Sequence, residues 1–277
     1  MTDLAPMLGW DWSRPIVMGI VNATDDSFSG DGLGAATDAA IAQARSMVAQ
    51  GADVIDIGAE STRPGAPAIA PEAEIARLLP ILDGLRELGR PISIDTRHAA
   101  TMRAVLQAGA AIINDISALE DDPAAMDAVA GSNCMVVLMH KQGQPASMQQ
   151  APRYDDVVAE VLGYLAHRIA TCEAAGIAKA RLIVDPGIGF GKTQAHNLAL
   201  MQALPRFGDL GCPVLLGVSR KSFIGHLTGE TVPTMRIPGS VAAALWGAAH
   251  GAHILRVHDV DKTVQALRVW QGLEGSV

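Results

Sequence analysis

Eight short apolar runs alternate with longer, Ala-rich stretches of helical spacing along this chain. The runs are Ile16 to Val21, Asp53 to Ile57, Ile92 to Ile94, Ala111 to Ile113, Met135 to Met139, Leu182 to Val184, Val214 to Val218 and Ile254 to Val257. Each has the length of a buried strand and is too short for a helix. The stretches between them, at 35–50, 71–88, 98–107, 123–130, 155–175, 195–203, 239–250 and 261–270, read as helices. Pro71 opens the second, and Gly51, Gly89, Gly109, Gly176 and Gly251 follow helix ends. Seven repeats span the 234 residues from Asn22 to Arg256, about 33 residues each, the size of a βαβ unit. Eight such units predict a (β/α)8 TIM barrel. A doubly wound open sheet is the alternative. No linker or break in composition interrupts the pattern, so a single domain over 15–277 is expected, after an N-terminal extension over 1–14.

Composition narrows the function classes. Apolar residues make up 49% of the chain and aromatics only 4%, so the core must be mainly aliphatic. The net charge of −8 argues against a polyanion-binding surface, and no nucleic-acid partner is expected. Cys134, Cys172 and Cys212 lie 38 and 40 residues apart, which is neither a zinc spacing nor a disulfide framework. They read as core residues of a protein from a reducing compartment. Without a signal-peptide pattern or a long apolar stretch, a cytoplasmic location and no membrane partner are expected.

Polar residues gather after the strands: Asn22, Glu60 to Arg63, Asp95-Thr96, Asn114-Asp115, His140, Asp185, Ser219 to Lys221, and Arg256-Val257-His258. A barrel collects all of these at the C-terminal mouth, where its active sites are built. Turns are polar anyway, so one Asn or Asp means little. Eight strand ends carrying Arg, Lys and His as well mean more. Arg256 and His258, two apart, share one face of their strand. Known nucleotide and nucleophile motifs fail. Pro186 to Thr193 has a Pro where a Walker A loop needs Gly, and no G-x-G-x-x-G, H-E-x-x-H or G-x-S-x-G occurs.

Taken together, these strand ends resemble the dihydropteroate synthase family. The matching pieces are Met18 to Thr24 with Asp26-Ser27-Phe28-Ser29, Glu60 to Gly65, Ser93 to Thr96, Ile113 to Ile116 and Leu138 to His140. Asp185-Pro186-Gly187 with Gly189 to Lys192, Gly217 to Ser222 and Arg256 to Asp259 complete the set. They run in order over about residues 16–260. Asp25 stands where the family commonly has Pro, which loosens that loop in the free state. The resemblance implies a homodimeric barrel of folate biosynthesis. It joins 6-hydroxymethyl-7,8-dihydropterin diphosphate to p-aminobenzoate with the help of Mg²⁺, releasing pyrophosphate. Sulfonamides mimic its second substrate.

By that resemblance Asp95, Asn114, Asp185 and Lys221 hold the pterin, with Ile116 and Met139 beside it. Asn22 helps hold the metal. Arg63, Arg256 and His258, with Val257 between the last two, meet the diphosphate. Thr62, Pro64, Phe190 and Ser219 shape the p-aminobenzoate pocket. Asp95, Asp185, Lys221, Arg256 and His258 are the expected catalytic residues, and the loops 24–34 and 63–71 are expected to close over the diphosphate. The residue types suit the chemistry. A carboxylate accepts the paired N–H groups of a pterin edge, a guanidinium fork matches phosphate oxygens, and Mg²⁺ prefers oxygen ligands. Other residues read more plainly: Lys192 as a solvated lysine, Arg220 as the partner of an acid or a dimer contact, Met18 and Met135 as core fillers. As a mouth residue, Arg256 is expected to do little for the core. A pterin-dependent methyltransferase of the same fold, a non-catalytic pterin-binding protein and an aldolase using Lys221 are the rival readings.

Overall fold

The computed structural model describes residues 7–10, 12–23, 33–60, 69–143 and 147–275. Thr62, Arg63 and Pro64 lie outside the described residues, as do most of the two loops expected to close over the diphosphate. Eight parallel strands form one sheet: β1 (Ile16–Asn22), β2 (Val54–Gly58), β3 (Ile92–Asp95), β4 (Ile112–Asp115), β5 (Met135–Met139), β6 (Leu182–Asp185), β7 (Leu215–Gly217) and β8 (Ile254–Val257). Their order is β6-β5-β4-β3-β2-β1-β8-β7. A parallel bridge between Val184 and Val214 brings the two edges together, so the sheet closes as a (β/α)8 barrel.

Nine helices surround it among the described residues: α1 (Leu33–Ala49), α2 (Pro71–Gly84), α3 (Ala99–Gln107), α4 (Ala125–Ala130), α5 (Val157–Ala174), α6 (Gln194–Gln202), α7 (Ser222–Thr228), α8 (Ile237–Ala249) and α9 (Val260–Leu273). The seven-residue α7 is the one without a counterpart in the sequence pattern. It starts directly behind Lys221, inside a motif that reads as a strand end. The second helix stops at Gly84 rather than near Leu88: Leu85 N–H and Arg86 N–H turn back to the Leu82 and Asp83 carbonyls, and Leu88 N–H to that of Leu85. No helix is long and apolar enough to cross a membrane, among the described residues.

Strand alternation divides the core in two. Val17, Ile55, Ile57, Ile113, Val136, Val184 and Leu255 point outward and meet the helices. Ile16, Met18, Val54, Ile112, Met135, Val137, Ile183, Leu215 and Ile254 fill the barrel interior. Met7 and Trp10 of the N-terminal segment join that interior cluster. Arg14 donates to both Asp53 carboxylate oxygens, at 2.8 and 2.6 Å, and so ties the segment to the base of the barrel. The three cysteines are free and buried, as expected.

Candidate active site

The strand period of two sets the chemistry of the mouth. One step along each strand from the interior apolar residues, the inward side chain becomes polar. Val54 is followed by Asp56, Ile112 by Asn114, Ile183 by Asp185 and Ile254 by Arg256. Asp95 stands level with Asn114 on β4, and Asp185 level with Met139 on β5. β3, β4 and β6 run on through Asp95, Asp115 and Asp185. Ladder bonds such as Thr96 N–H to the Asn114 carbonyl continue past the apolar runs. These acids therefore sit on rigid strand rather than on loops.

Arg256 is the hub. Its Nε donates to Asp56 Oδ2 at 2.6 Å and its second guanidinium nitrogen to Asp95 Oδ2 at 2.9 Å. Asn114 Nδ2 donates to the same Asp56 oxygen at 3.1 Å. Burial works against the Arg256 charge, but Asp56 and Asp95 outweigh it and hold its pKa above the ordinary value. Burial lifts the Asp95 carboxyl to about 7, against the pull of Arg256. Arg256 thus answers two carboxylates, one of them fully buried. Truncating it would leave those charges unpaired, so it supports the core more than its mouth position implied.

A second group faces the hub. Burial raises the Asp185 pKa, opposed mainly by Lys221. Burial likewise lowers Lys221 to about 8, opposed by Asp185. Asp185 Oδ1 also accepts Gly187 N–H at 2.7 Å, a local turn bond that leaves Oδ2 for other work. Lys221 donates to the Ile188 carbonyl and lies 4.6 Å from the centre of the Phe190 ring. Ser219 and His258 tie the ends of β7 and β8, with His258 Nδ1 3.0 Å from the Ser219 hydroxyl.

The structure thus assembles Asp95, Asn114, Asp185, Phe190, Lys221 and Arg256, and sets Ser219 with His258 beside them. Ile116 and Met139 are buried at the ends of β4 and β5. Asn22 is half-buried at the end of β1, level with Gly58. Val257 is placed apart, because its side chain packs outward among the core between barrel and helices. Arg220 pairs bidentately with Asp259, at 2.9 and 2.5 Å, as its acid-partner reading expected. Lys192 is a correction: it is 3% exposed, not solvated, because the loop of residues 186–191 folds over it. Asp56 was missed. It lies inside an apolar run, and the one signal for it was an acid on the inward face of a strand otherwise fully buried. Its Oδ1 is buried with no hydrogen-bond partner among the described residues.

Mg²⁺ can be tested against this donor set. No group of three or more His, Cys, Asp or Glu side chains suited to a metal occurs among the described residues. The residues present suit an ion held chiefly by substrate oxygens and water, with one amide oxygen from Asn22.

A parallel barrel with carboxylates, an amide and two half-buried cations at its mouth has the build of a pterin-binding enzyme. The family model described as pterin binding enzyme matches residues 18–258. The chain belongs to this family, and within it to the dihydropteroate synthases. It is 49% identical over 265 residues to the dihydropteroate synthase of Neisseria meningitidis serogroup B, covering 94% of this chain and 93% of that one. The Xanthomonas albilineans dihydropteroate synthase solved with 4-aminobenzoic acid superposes with a TM-score of 0.90 at 50% identity, covering 96% and 95% of the two chains. The same enzyme solved with 7,8-dihydropteroate gives 0.87 at 48% identity, with 96% and 95% covered.

Proposed function

We propose that this enzyme joins a 6-hydroxymethyl-7,8-dihydropterin diphosphate to p-aminobenzoate through the mouth residues described above. The observation that carries the assignment of roles is the Asp95–Arg256–Asp56–Asn114 cluster facing Asp185 and Lys221. The bond that forms joins the aromatic amine nitrogen to the pterin methylene carbon. The bond that breaks is that carbon's bond to the diphosphate oxygen, and the amine proton leaves to solvent. The amine is neutral at pH 7, so the site needs no strong base and no Ser or Cys nucleophile.

In this reading Asp185 Oδ2 and Asp95 accept N–H groups from the pterin edge, and Asn114 adds an amide. Lys221 donates to a pterin acceptor. Arg256 lies between the pterin carboxylates and the diphosphate, where its fork can take phosphate oxygens. His258, fixed through Ser219, stands beside it. Fixed carboxylates near the ring stabilise positive charge on the methylene as the leaving group departs, so a loose substitution fits the site. Phe190 and Ser219 line the p-aminobenzoate side, with Thr62, Arg63 and Pro64 completing both pockets. Mg²⁺, held by Asn22 and diphosphate oxygens, would neutralise leaving-group charge.

The working form in this reading is a cytoplasmic homodimer. The support for the dimer is a largely apolar groove between α8 and α9, whose lining includes Ile237, Pro238, Val241, Leu245, Val269 and Leu273. The deciding assay is pyrophosphate release with both substrates, with each alone, and after chelation of divalent ions. Release that needs both substrates and falls on chelation supports the reading. Release from the pterin diphosphate alone at the same rate would overturn it.

A further inference from the structure

Residues 186–191 form a Gly-rich loop whose polar groups are tied down from outside. Four consecutive carbonyls each accept a hydrogen bond from a different donor group. Ile188 takes Lys221 and Gly189 takes Gln149 Nε2. Phe190 takes Lys192 Nζ at 3.0 Å, and Gly191 takes the Tyr154 hydroxyl at 2.9 Å. Gly189 N–H donates to Asn197 Oδ1 at 2.7 Å. The loop also presses on the end of β5. Gly187 has φ +69°, and a Cβ there would stand 1.9 Å from the His140 carbonyl oxygen.

Lys192 is the centre of this arrangement. Its ammonium reaches three acceptors: His140 Nδ1 at 3.0 Å, the His140 carbonyl at 3.2 Å and the Phe190 carbonyl at 3.0 Å. In its protonated form it has one proton for each. Since it only donates, His140 Nδ1 accepts and the ring proton sits on Nε2. Burial, with Lys192 adding to it, holds His140 down to about 3, which keeps the acceptor form. The His140 ring is itself held edge-on to Tyr164, 4.9 Å between ring centres. Burial lowers Lys192 to about 7, opposed by Asp185. A buried ammonium with no contact to the outside is costly unless fully bonded, and its bonds join two mouth segments, the end of β5 and the β6–α6 loop.

We propose that Lys192 is a positioning residue for p-aminobenzoate. It clamps the Phe190 backbone to the end of β5, and so fixes the Phe190 ring against Lys221 and the shape of the second-substrate pocket. The proposal rests on the functional reading above, which places Phe190 in that pocket. Lys192 acts through Phe190 and does not itself reach the reacting atoms.

The test is Lys192→Met in the full chain, with steady-state kinetics for each substrate and a melting curve. Met fills similar volume but leaves the Phe190 and His140 carbonyls without their donor. The expected result is a rise of about tenfold or more in KM for p-aminobenzoate, with KM for the pterin diphosphate within about threefold of the parent. An unchanged KM for p-aminobenzoate overturns the proposal. So does an equal loss for both substrates that tracks a lower melting temperature, which is what a purely structural lysine would give. If Lys192→Met does not fold, Lys192→Gln decides by the same split. Its amide keeps a donor for the Phe190 carbonyl, so the rise should be smaller and still confined to p-aminobenzoate. The parent is assayed in parallel: a parent without two-substrate turnover refutes the functional reading, whereas an active parent with an unmoved variant refutes only the clamp.

Discussion

Asp95 contributes one part of the pH response expected of the free enzyme. Burial places its carboxyl at about 7, above the ordinary range, so the native state holds a proton that the unfolded chain has released. The stability from this group is full below about pH 4, the unfolded value, and is lost as pH rises through about 7. Asp95→Asn should flatten that part of the melting-temperature profile. Pterin N–H groups need the ionised form, so kcat/KM for the pterin substrate should rise through about pH 7. It should fall above about 8 as Lys221 loses its proton. A rising limb that persists in Asp95→Asn would assign it to another group.

Asp185→Asn separates two roles. Asn keeps an acceptor for Gly187 N–H, so melting should barely change. The carboxamide puts a donor opposite the pterin donors, costing about 2–4 kcal/mol, or roughly 30- to 1000-fold in kcat/KM. Activity within about threefold of the parent would make Asp185 a turn residue only. Asp56→Asn tests the hub: one amide oxygen must serve both Arg256 and Asn114, and an added NH₂ meets other donors. A stability loss of about 1–3 kcal/mol and at least about a tenfold fall in kcat/KM are expected. Equal activity and equal denaturation midpoints would sink that role. Asp95, Asn114 and Asp185 were legible because each directly follows an apolar run. Asp56 was not, because its burial and partners come from other strands.

At the scale of elements, the β6–α6 loop is the most constrained segment of the mouth. Gly187→Ala forces a side chain onto φ +69° and into the His140 carbonyl. Gly176→Ala adds the same kind of backbone strain at φ +86° with nothing within 4 Å. Denaturant unfolding should therefore show a loss of roughly 1–3 kcal/mol from strain alone at Gly176 and a larger one at Gly187. Equal losses would mean that the loop moves aside. The strands were readable from apolar runs, since burial on both faces leaves continuous hydrophobic stretches. Their last residues were not, since a polar residue looks the same at a strand end and in a turn until the neighbouring ladder is known. α7 was hidden for a related reason: its first turn overlaps a motif rich in charge, and seven residues carry too little periodicity.

For the whole molecule, the groove between α8 and α9 leaves large apolar side chains in the open. Val269 is 60% exposed and Leu273 82%. A second copy of the chain would cover them. Val269→Glu should shift the protein from dimer to monomer in sedimentation velocity and leave the far-UV circular dichroism unchanged. A parent that already sediments as a monomer would refute the dimer.

The strand count and the order of mouth residues followed from the sequence by itself, because alternation, helix ends and polar strand ends are local signals. Tertiary structure alone decided which of those residues answer one another. Arg256 meets Asp56 from 200 positions away, because β8 and β2 both flank β1 and barrel closure turns the two side chains inward. Lys192 meets His140 across 52 positions, because the loop after β6 folds onto the end of β5. Burial, and with it the pKa of Asp95, Lys192 and Lys221, depends on the atoms that exclude water around a group, and those arrive from every part of the chain.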